Sequence, residues 1–128
     1  MKVERIVKSY PIRIEGGWVG QDISLTVYGG ARPHVGAVAL SVMGPSPHDP
    51  RRRTCSENVL TVQGHKESDL ARTVATRLAK LFDCTVSVTC GIHYPNITAE
   101  DIRMVLSVVN QLTDECARVL LDEKERSV

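Results

Sequence analysis

The stretch TVSVTCGIHYPNITAEDIRMVLSVVNQLTDECARVLL, residues 85–121, decides the fold. Its first part, residues 85–90, alternates threonine or serine with valine and cysteine, and a period of two is typical of a strand with one buried face. This strand runs into Gly91-Ile92-His93. Pro95 then ends it, because proline has no backbone donor for a sheet. The stretch therefore predicts a strand that finishes in a glycine and histidine turn.

A long helix follows this turn. Thr98, with Asp101 three residues later, resembles a capping box, which predicts that the helix begins there. Apolar side chains then recur every three or four residues for about six turns, at Ile102, Val105, Val109, Leu112, Cys116 and Val119. The residues after Leu121 are charged, so we expect a frayed tail.

The first half of the chain reads as strands. Residues 3–14 and 18–28 each contain alternating apolar positions, and Gly16-Gly17 between them predicts the turn of a hairpin. Residues 35–43 are small or apolar at both sets of alternating positions, which predicts a strand covered on both faces. A short strand is predicted at about residues 58–63, ending at the next glycine.

A shorter helix is predicted to begin near Glu67 or Ser68. Its apolar positions lie at helical spacing, at Leu70, Val74, Leu78 and Leu81. The order of elements predicts an α+β fold, with a mostly antiparallel sheet and two main helices packed on one face. We expect one domain over residues 1–128. The other sheet face then needs polar residues or a partner, and the apolar third strand predicts a homodimer or higher homo-oligomer.

Composition excludes several classes of protein. The 128 residues carry a formal net charge of +1, which provides no overall field for a nucleic-acid backbone. No apolar run approaches the roughly 20 residues of a membrane-spanning helix, and the N-terminus does not resemble a signal peptide. We therefore expect a cytoplasmic protein, in which widely spaced cysteines remain free thiols.

Three short glycine-containing turns each carry a histidine. They are Gly29-Gly30-Ala31-Arg32-Pro33-His34-Val35-Gly36, Gly64-His65-Lys66-Glu67 and Gly91-Ile92-His93-Tyr94-Pro95-Asn96. Glycines at a strand end allow backbone amides to approach a ligand, while Arg32, Lys66 and a helix start favour an anion. Taken singly, each turn is more typical of a structural connection. Together they indicate a shared ligand site at one edge of the sheet.

A metal site is an alternative use of the same side chains. His34, His65 and His93 would supply three imidazoles to a divalent metal such as catalytic zinc, with a fourth position open. However, no two of them share one element at a spacing that preorganises a metal pair. A small metal-dependent enzyme or decarboxylase subunit, and an interaction module with incidental histidines, therefore stand beside a cofactor-binding protein as hypotheses.

The order and spacing of the three turns, with Asn96-Ile97-Thr98 ahead of a helix, resemble the LpdD-like family over roughly residues 28–120. The namesake of that family is a small accessory protein of gallate decarboxylase, described as a prenylated-flavin chaperone. The resemblance implies a protein that is not itself the decarboxylase. It would bind prenylated FMN, or FMN, and deliver it to, or mature it for, a UbiD-type decarboxylase.

The matching motifs carry over a set of candidate binding residues: Gly29, Gly30, Pro33, His34, His65, Lys66, Gly91 and His93. On physical grounds, a phosphate would suit the glycine amides with Lys66 or Arg32, and imidazoles would suit the polar edge of a flavin. Tyr94 offers a stacking surface. Because aromatic residues make up only 4% of the chain, we expect a shallow or intersubunit flavin site.

Overall fold

The structure is a computed structural model that describes residues 1–62 and 67–127. Within these residues, six strands and two helices follow one another in this order: β1 (Lys2–Val7), β2 (Tyr10–Val19), β3 (Asp22–Gly30), β4 (Ala37–Pro45), β5 (Arg53–Thr61), α1 (Ser68–Phe82), β6 (Val86–His93) and α2 (Ala99–Arg126). The strands form one sheet in the order β1-β2-β3-β6-β4-β5. Neighbours pair antiparallel, except that β3 and β6 run parallel. The predicted α+β fold with a mostly antiparallel sheet is confirmed.

The predicted turn at Gly16-Gly17 is wrong, because β2 continues through both glycines. Gly16 has a φ of 139°, and a Cβ there would lie 2.1 Å from the Ser24 carbonyl oxygen on β3. This glycine therefore allows two strands to approach closely. The chain reverses instead at Lys8-Ser9, where both residues have positive φ, and at Gly20, with a φ of 63°.

Two other boundaries differ from the predictions. β5 begins at Arg53, well before residue 58, and it pairs with β4 from Pro45 onward. The expected fraying after Leu121 is also absent, since α2 continues to Arg126. Arg126 is held by an ion pair with Asp122 one turn earlier, at 2.9 Å.

Both helices pack on the same sheet face. α1 lies against β4, β5 and β6, whereas α2 lies against β1 and β2. The core between them is aliphatic, and its largest fully buried members include Ile12, Ile14, Ile23, Leu78, Leu112, Leu120 and Val109. The periodic position Leu81 is 63% exposed, because α1 buries Ala71, Ala75 and Ala79 beside Val74 and Leu78.

Strand direction brings several features to one end of the sheet. Because β3 and β6 are parallel, their last residues, Gly30 and His93, lie side by side. The start of α2 is at the same end, where Lys8 in the β1–β2 turn binds Asp101 at 2.8 Å. We call this end the histidine end. No helix in the described part of the chain has the length and apolar character to cross a membrane.

Candidate functional site

The strand ends at the histidine end are packed backbone to backbone. The Ala31 N–H donates to the His93 carbonyl oxygen at 2.8 Å. Gly30 has a φ of 79°, and a Cβ on it would lie 2.2 Å from the same oxygen. A Cβ on Gly29 would lie 2.3 Å from the Pro11 carbonyl oxygen. These glycines thus allow close strand packing, and their contact with a ligand stays a prediction.

The segment after β3 folds back across β6. The Gly36 N–H donates to the Cys90 carbonyl oxygen at 2.9 Å. A Cβ on Gly91 would lie only 1.5 Å from the His34 carbonyl oxygen, so no larger residue fits there without a backbone shift. Gly91 thereby fixes the path of the chain that carries His34.

His34 is held on both sides of its ring. Its Nδ1 lies 3.0 Å from the Arg32 carbonyl oxygen, and its Nε2 lies 2.8 Å from Oε1 of Glu67. Both side chains are largely covered, with exposures of 19% for His34 and 11% for Glu67. The two contacts fix the orientation of the imidazole ring between its own loop and the start of α1.

The partner Glu67 is a functional candidate that the sequence prediction missed. In the sequence it marks only the predicted beginning of the shorter helix. Its position directly before α1 was the available signal, but the sequence did not show that a loop 33 residues away supplies the imidazole. Gly36 contributes to this pairing, since a Cβ there would lie 2.6 Å from a Glu67 carboxylate oxygen.

The thiol nearest this pair is inert. Burial, with a smaller contribution from the Glu67 charge, raises the pKa of Cys90 to about 12. Burial also raises the pKa of Cys116 on α2 to about 12. Neither thiol supplies a thiolate nucleophile at neutral pH.

Tyr94 serves the fold rather than an open stacking surface. The residue is 6% exposed, and its hydroxyl donates to the Val7 carbonyl oxygen at 2.8 Å. Its ring meets Tyr10 edge to face at 6.1 Å between centroids. The side chain of the preceding residue, His93, remains exposed at the end of β6.

A groove opens beside these residues, between the starts of α1 and α2 and the end of β6. Its volume is about 460 Å³, within the range of small-molecule sites. Its lining includes Glu67, Asp69, Leu70, Ile92, His93, Tyr94, Ile97, Ile102, Val105 and Leu106. We call it the helix-start groove. Three of its aliphatic side chains are unusually exposed: Ile97 at 38%, Ile102 at 46% and Leu106 at 43%.

The structure brings part of the predicted site together. His93 lines the helix-start groove, and His34 contacts the groove residue Glu67. Arg32 and Pro33 are exposed on the loop between β3 and β4. His65, Lys66 and their neighbour Gly64 lie outside the described residues. Among residues 1–62 and 67–127, no group of three His, Cys, Asp or Glu side chains is placed to hold a metal ion, so the metal alternative gains no support.

A larger hollow of about 520 Å³ lies at the opposite end of the sheet, near the ends of both helices. Its aromatic residues already have partners. The Trp18 indole donates to the Leu120 carbonyl oxygen at 3.0 Å and meets Phe82 edge to face. The Lys124 ammonium lies 5.5 Å from the centre of the Trp18 ring. These contacts anchor the end of α2.

Comparison with known proteins identifies a family and solved structures of similar fold. A family described as the prenylated flavin chaperone LpdD-like domain matches residues 7–121. No curated protein matches. A solved structure, described as a novel chaperone complex for yeast 20S proteasome assembly, is similar over 96% of each chain, with a TM-score of 0.52 and 16% sequence identity. At that identity the likeness shows a shared fold alone.

Proposed function

This chain belongs to the prenylated flavin chaperone LpdD-like family, and from that membership we propose that it binds prenylated FMN and delivers it to a UbiD-type decarboxylase, or matures it for that enzyme. The cofactor carries the chemistry of decarboxylation, and the chaperone's residues bind, orient and release it. We infer that this chain is not itself the decarboxylase.

The family match is the observation that carries the proposal. It extends from Val7 to Leu121 and includes every strand and helix segment that borders the helix-start groove. The groove therefore lies wholly within the matched region. We propose it as the cofactor site.

The lining of the groove fits a flavin. Aliphatic side chains provide walls for a planar ring system, and exposed aliphatic surface gains free energy when a ligand covers it. The described lining holds the carboxylates of Glu67 and Asp69 and no basic side chain, so the phosphate would lie outside the groove, on the side of Arg32. His93 adds a hydrogen-bonding group at the mouth.

The remaining candidate residues are assigned roles here as proposals, and His65 and Lys66 among them lie outside the described residues. Arg32 and Lys66 would pair with the phosphate, while His34, His65 and His93 would contact polar atoms of the cofactor. His34 would act partly through its contact with Glu67. Gly29, Gly30, Pro33 and Gly91 would shape the backbone that positions these side chains.

An open groove with few aromatic residues suits a shallow or intersubunit site from which the cofactor is passed on. We also propose that the chain forms a homo-oligomer and that it acts in the cytoplasm. The sheet face away from the helices supports it, because Leu40 and Leu60 there are 40% and 79% exposed. A one-to-one complex of monomer and fully enclosed flavin would overturn this part.

Anaerobic titration of the purified chain with reduced prenylated FMN tests the site. We expect saturable binding, weakened about tenfold or more by His93→Ala and by His34→Ala. The matched control is His48→Ala, because His48 is exposed in the β4–β5 loop at the opposite end of the sheet. Unchanged affinity in both histidine variants would reject the proposed site.

Delivery needs its own measurement. Apo decarboxylase of the UbiD type would be mixed with limiting prenylated FMN, with and without the chaperone, and the appearance of decarboxylase activity followed. We expect faster or more complete activation with the wild-type chain than with His93→Ala. Equal activation without any chaperone would contradict a delivery role.

A further inference from the structure

The sheet has a second face, on the side away from the helices. The alternate positions of each strand point to opposite faces, and those of β4 and β5 that face the helices include Ser41 and Glu57, which both contact the Thr76 hydroxyl of α1. Between the strand ends of β3, β6, β4 and β5, the side chains that point away from the helices are uncharged: Ser24, Thr26, Tyr28, Ser87, Thr89, Val38, Leu40, Val42, Thr54, Ser56, Asn58 and Leu60. We call this surface the neutral face.

The neutral face is unusual for this chain, because charged residues make up 24% of the sequence. Charged residues on the same side of the sheet are found on β1 and β2, at one border of the neutral face. Arg13 there donates to Glu4 at 2.6 Å, and Glu15 accepts from the Tyr28 hydroxyl. The opposite border, on β5, carries Leu60, which is 79% exposed. The surface therefore has a polar border on one side and an aliphatic border on the other.

From this pattern we propose that the neutral face packs against the same face of a second copy of this chain, with the helices of both copies on the outside. The proposal rests on the homo-oligomer part of the proposed function and specifies its interface. In a twofold dimer each face meets an identical face, so charges of one sign would be brought together. Hydroxyl and carboxamide groups both donate and accept hydrogen bonds, so they can pair with copies of themselves. The neutral face thus suits a second copy better than an acidic or a basic partner.

The size of the neutral face is of the order that a stable dimer needs. Its four strands contain eight or nine residues each. At roughly 4.8 Å between strands and 3.3 Å per residue, they cover about 19 Å by 28 Å. Two packed sheets bury at least this projected area, about 500 Å² per copy, and interdigitating side chains add to it. A standard protein interface buries about 800 Å² per partner.

This dimer has a consequence for the cofactor site. The helix-start groove lies on the helix side of the sheet, so packing through the neutral face leaves one open groove on each outer side. The proposed site is then shallow and formed by one copy alone, and not shared between subunits. Both copies can pass on their cofactor while the dimer stays intact.

Sedimentation equilibrium of the purified chain tests the interface, and the wild-type chain is expected to be a dimer. Leu60→Glu places a charge on the edge strand β5, and Ser87→Lys places one on the central strand β6, between Ser24 and Leu40. The matched control is Leu81→Glu, because Leu81 is 63% exposed on α1, away from the neutral face. Circular dichroism checks that each variant folds.

We expect Leu60→Glu and Ser87→Lys each to weaken dimerisation at least about a hundredfold, because the twofold arrangement buries the new charge twice. Leu81→Glu should remain dimeric. A monomeric wild-type chain, or a dimer that is broken by Leu81→Glu alone, would overturn the proposal. If a charged variant fails to fold, Leu60→Gln removes aliphatic area without adding charge and should weaken the dimer about tenfold. Wild-type dimerisation of Leu60→Gln would then count against the interface.

Titration of the folded Leu60→Glu monomer with reduced prenylated FMN separates this inference from the proposed function. We expect wild-type affinity per chain, since one copy forms the groove. Loss of binding in the folded monomer would show that the site needs both copies, which would overturn the outward position of the grooves. If the wild-type chain were a dimer that bound no cofactor, the proposed cofactor function would be rejected and the interface would stand.

Discussion

The Nε2 atom of His34 lies 2.8 Å from Oε1 of Glu67, and this contact joins the loop after β3 to the residue that precedes α1. It is a long-range contact beside the helix-start groove, which Glu67 lines. The Glu67 carbonyl oxygen also accepts the Ala71 N–H at 2.9 Å, so Glu67 takes part in starting the helix. The imidazole and the beginning of α1 are thereby positioned together.

Removing the Glu67 carboxylate should destabilise this end of the sheet. Glu67→Ala leaves a largely covered imidazole without that acceptor, and we expect a loss of roughly 1–3 kcal/mol in the free energy of unfolding. Urea unfolding followed by circular dichroism measures it. The control is Asp69→Ala, whose side chain is 88% exposed. Equal stability of the two variants would contradict a structural role for the pair.

The passage of the His34 backbone over β6 requires glycine at position 91. Gly91→Ala would place a Cβ 1.5 Å from the His34 carbonyl oxygen, which forces the backbone to move. We expect a loss of at least about 3 kcal/mol, or failure to fold. Gly17→Ala is the matched control in a strand, because a Cβ there meets nothing within 4 Å. The free energy of unfolding of Gly17→Ala should stay within about 0.5 kcal/mol of the wild-type value.

The capping box was predicted from the sequence and is present at the start of α2. The Asp101 N–H donates to the Thr98 hydroxyl at 3.1 Å, and the Thr98 N–H donates to the Asp101 carboxylate at 3.2 Å. Thr98→Ala should therefore cost about 1 kcal/mol in urea unfolding, whereas Thr98→Ser, which keeps the oxygen, should cost less than half of that. A harmless Thr98→Ala would show that tertiary packing alone positions this helix.

These elements show why local signals identified α2 and β6 but misplaced the first hairpin. Capping and periodicity depend on residues close in sequence, so they can be read directly. A glycine pair such as Gly16-Gly17 is as typical of a turn as of two closely packed strands. Only the close approach of β3 shows that β2 continues through this pair. Lys8-Ser9, which makes the real turn, lacks the glycine or asparagine that usually marks one.

For the candidate site too, the sequence identified some residues and missed others. His34 and His93 were found because they follow strands, and the parallel pairing of β3 and β6 brings those strand ends together. Glu67 was not found, since its partner His34 lies 33 residues away on the loop after β3. That pairing is a long-range property, which periodicity does not contain.

The buried thiols predict how stability changes at alkaline pH. In the folded chain burial raises the pKa of Cys90 and of Cys116 to about 12, from an ordinary value of 9.0. Between these values the folded state keeps both protons while the unfolded state loses them. Since the unfolded state then binds fewer protons, stability is complete below about pH 9 and falls as the pH rises toward 12.

Urea unfolding at pH 8 and at pH 10 measures this effect. Each thiol can lower the free energy of unfolding by up to about 1.4 kcal/mol per pH unit above its unfolded pKa. Cys90→Ala removes one of the two thiols that cause this loss of stability at alkaline pH. The variant should be less stable at pH 8, because it leaves a cavity, yet lose less stability between the two pH values than wild type. The same loss in both proteins would mean that Cys90 ionises as readily folded as unfolded, contrary to its complete burial.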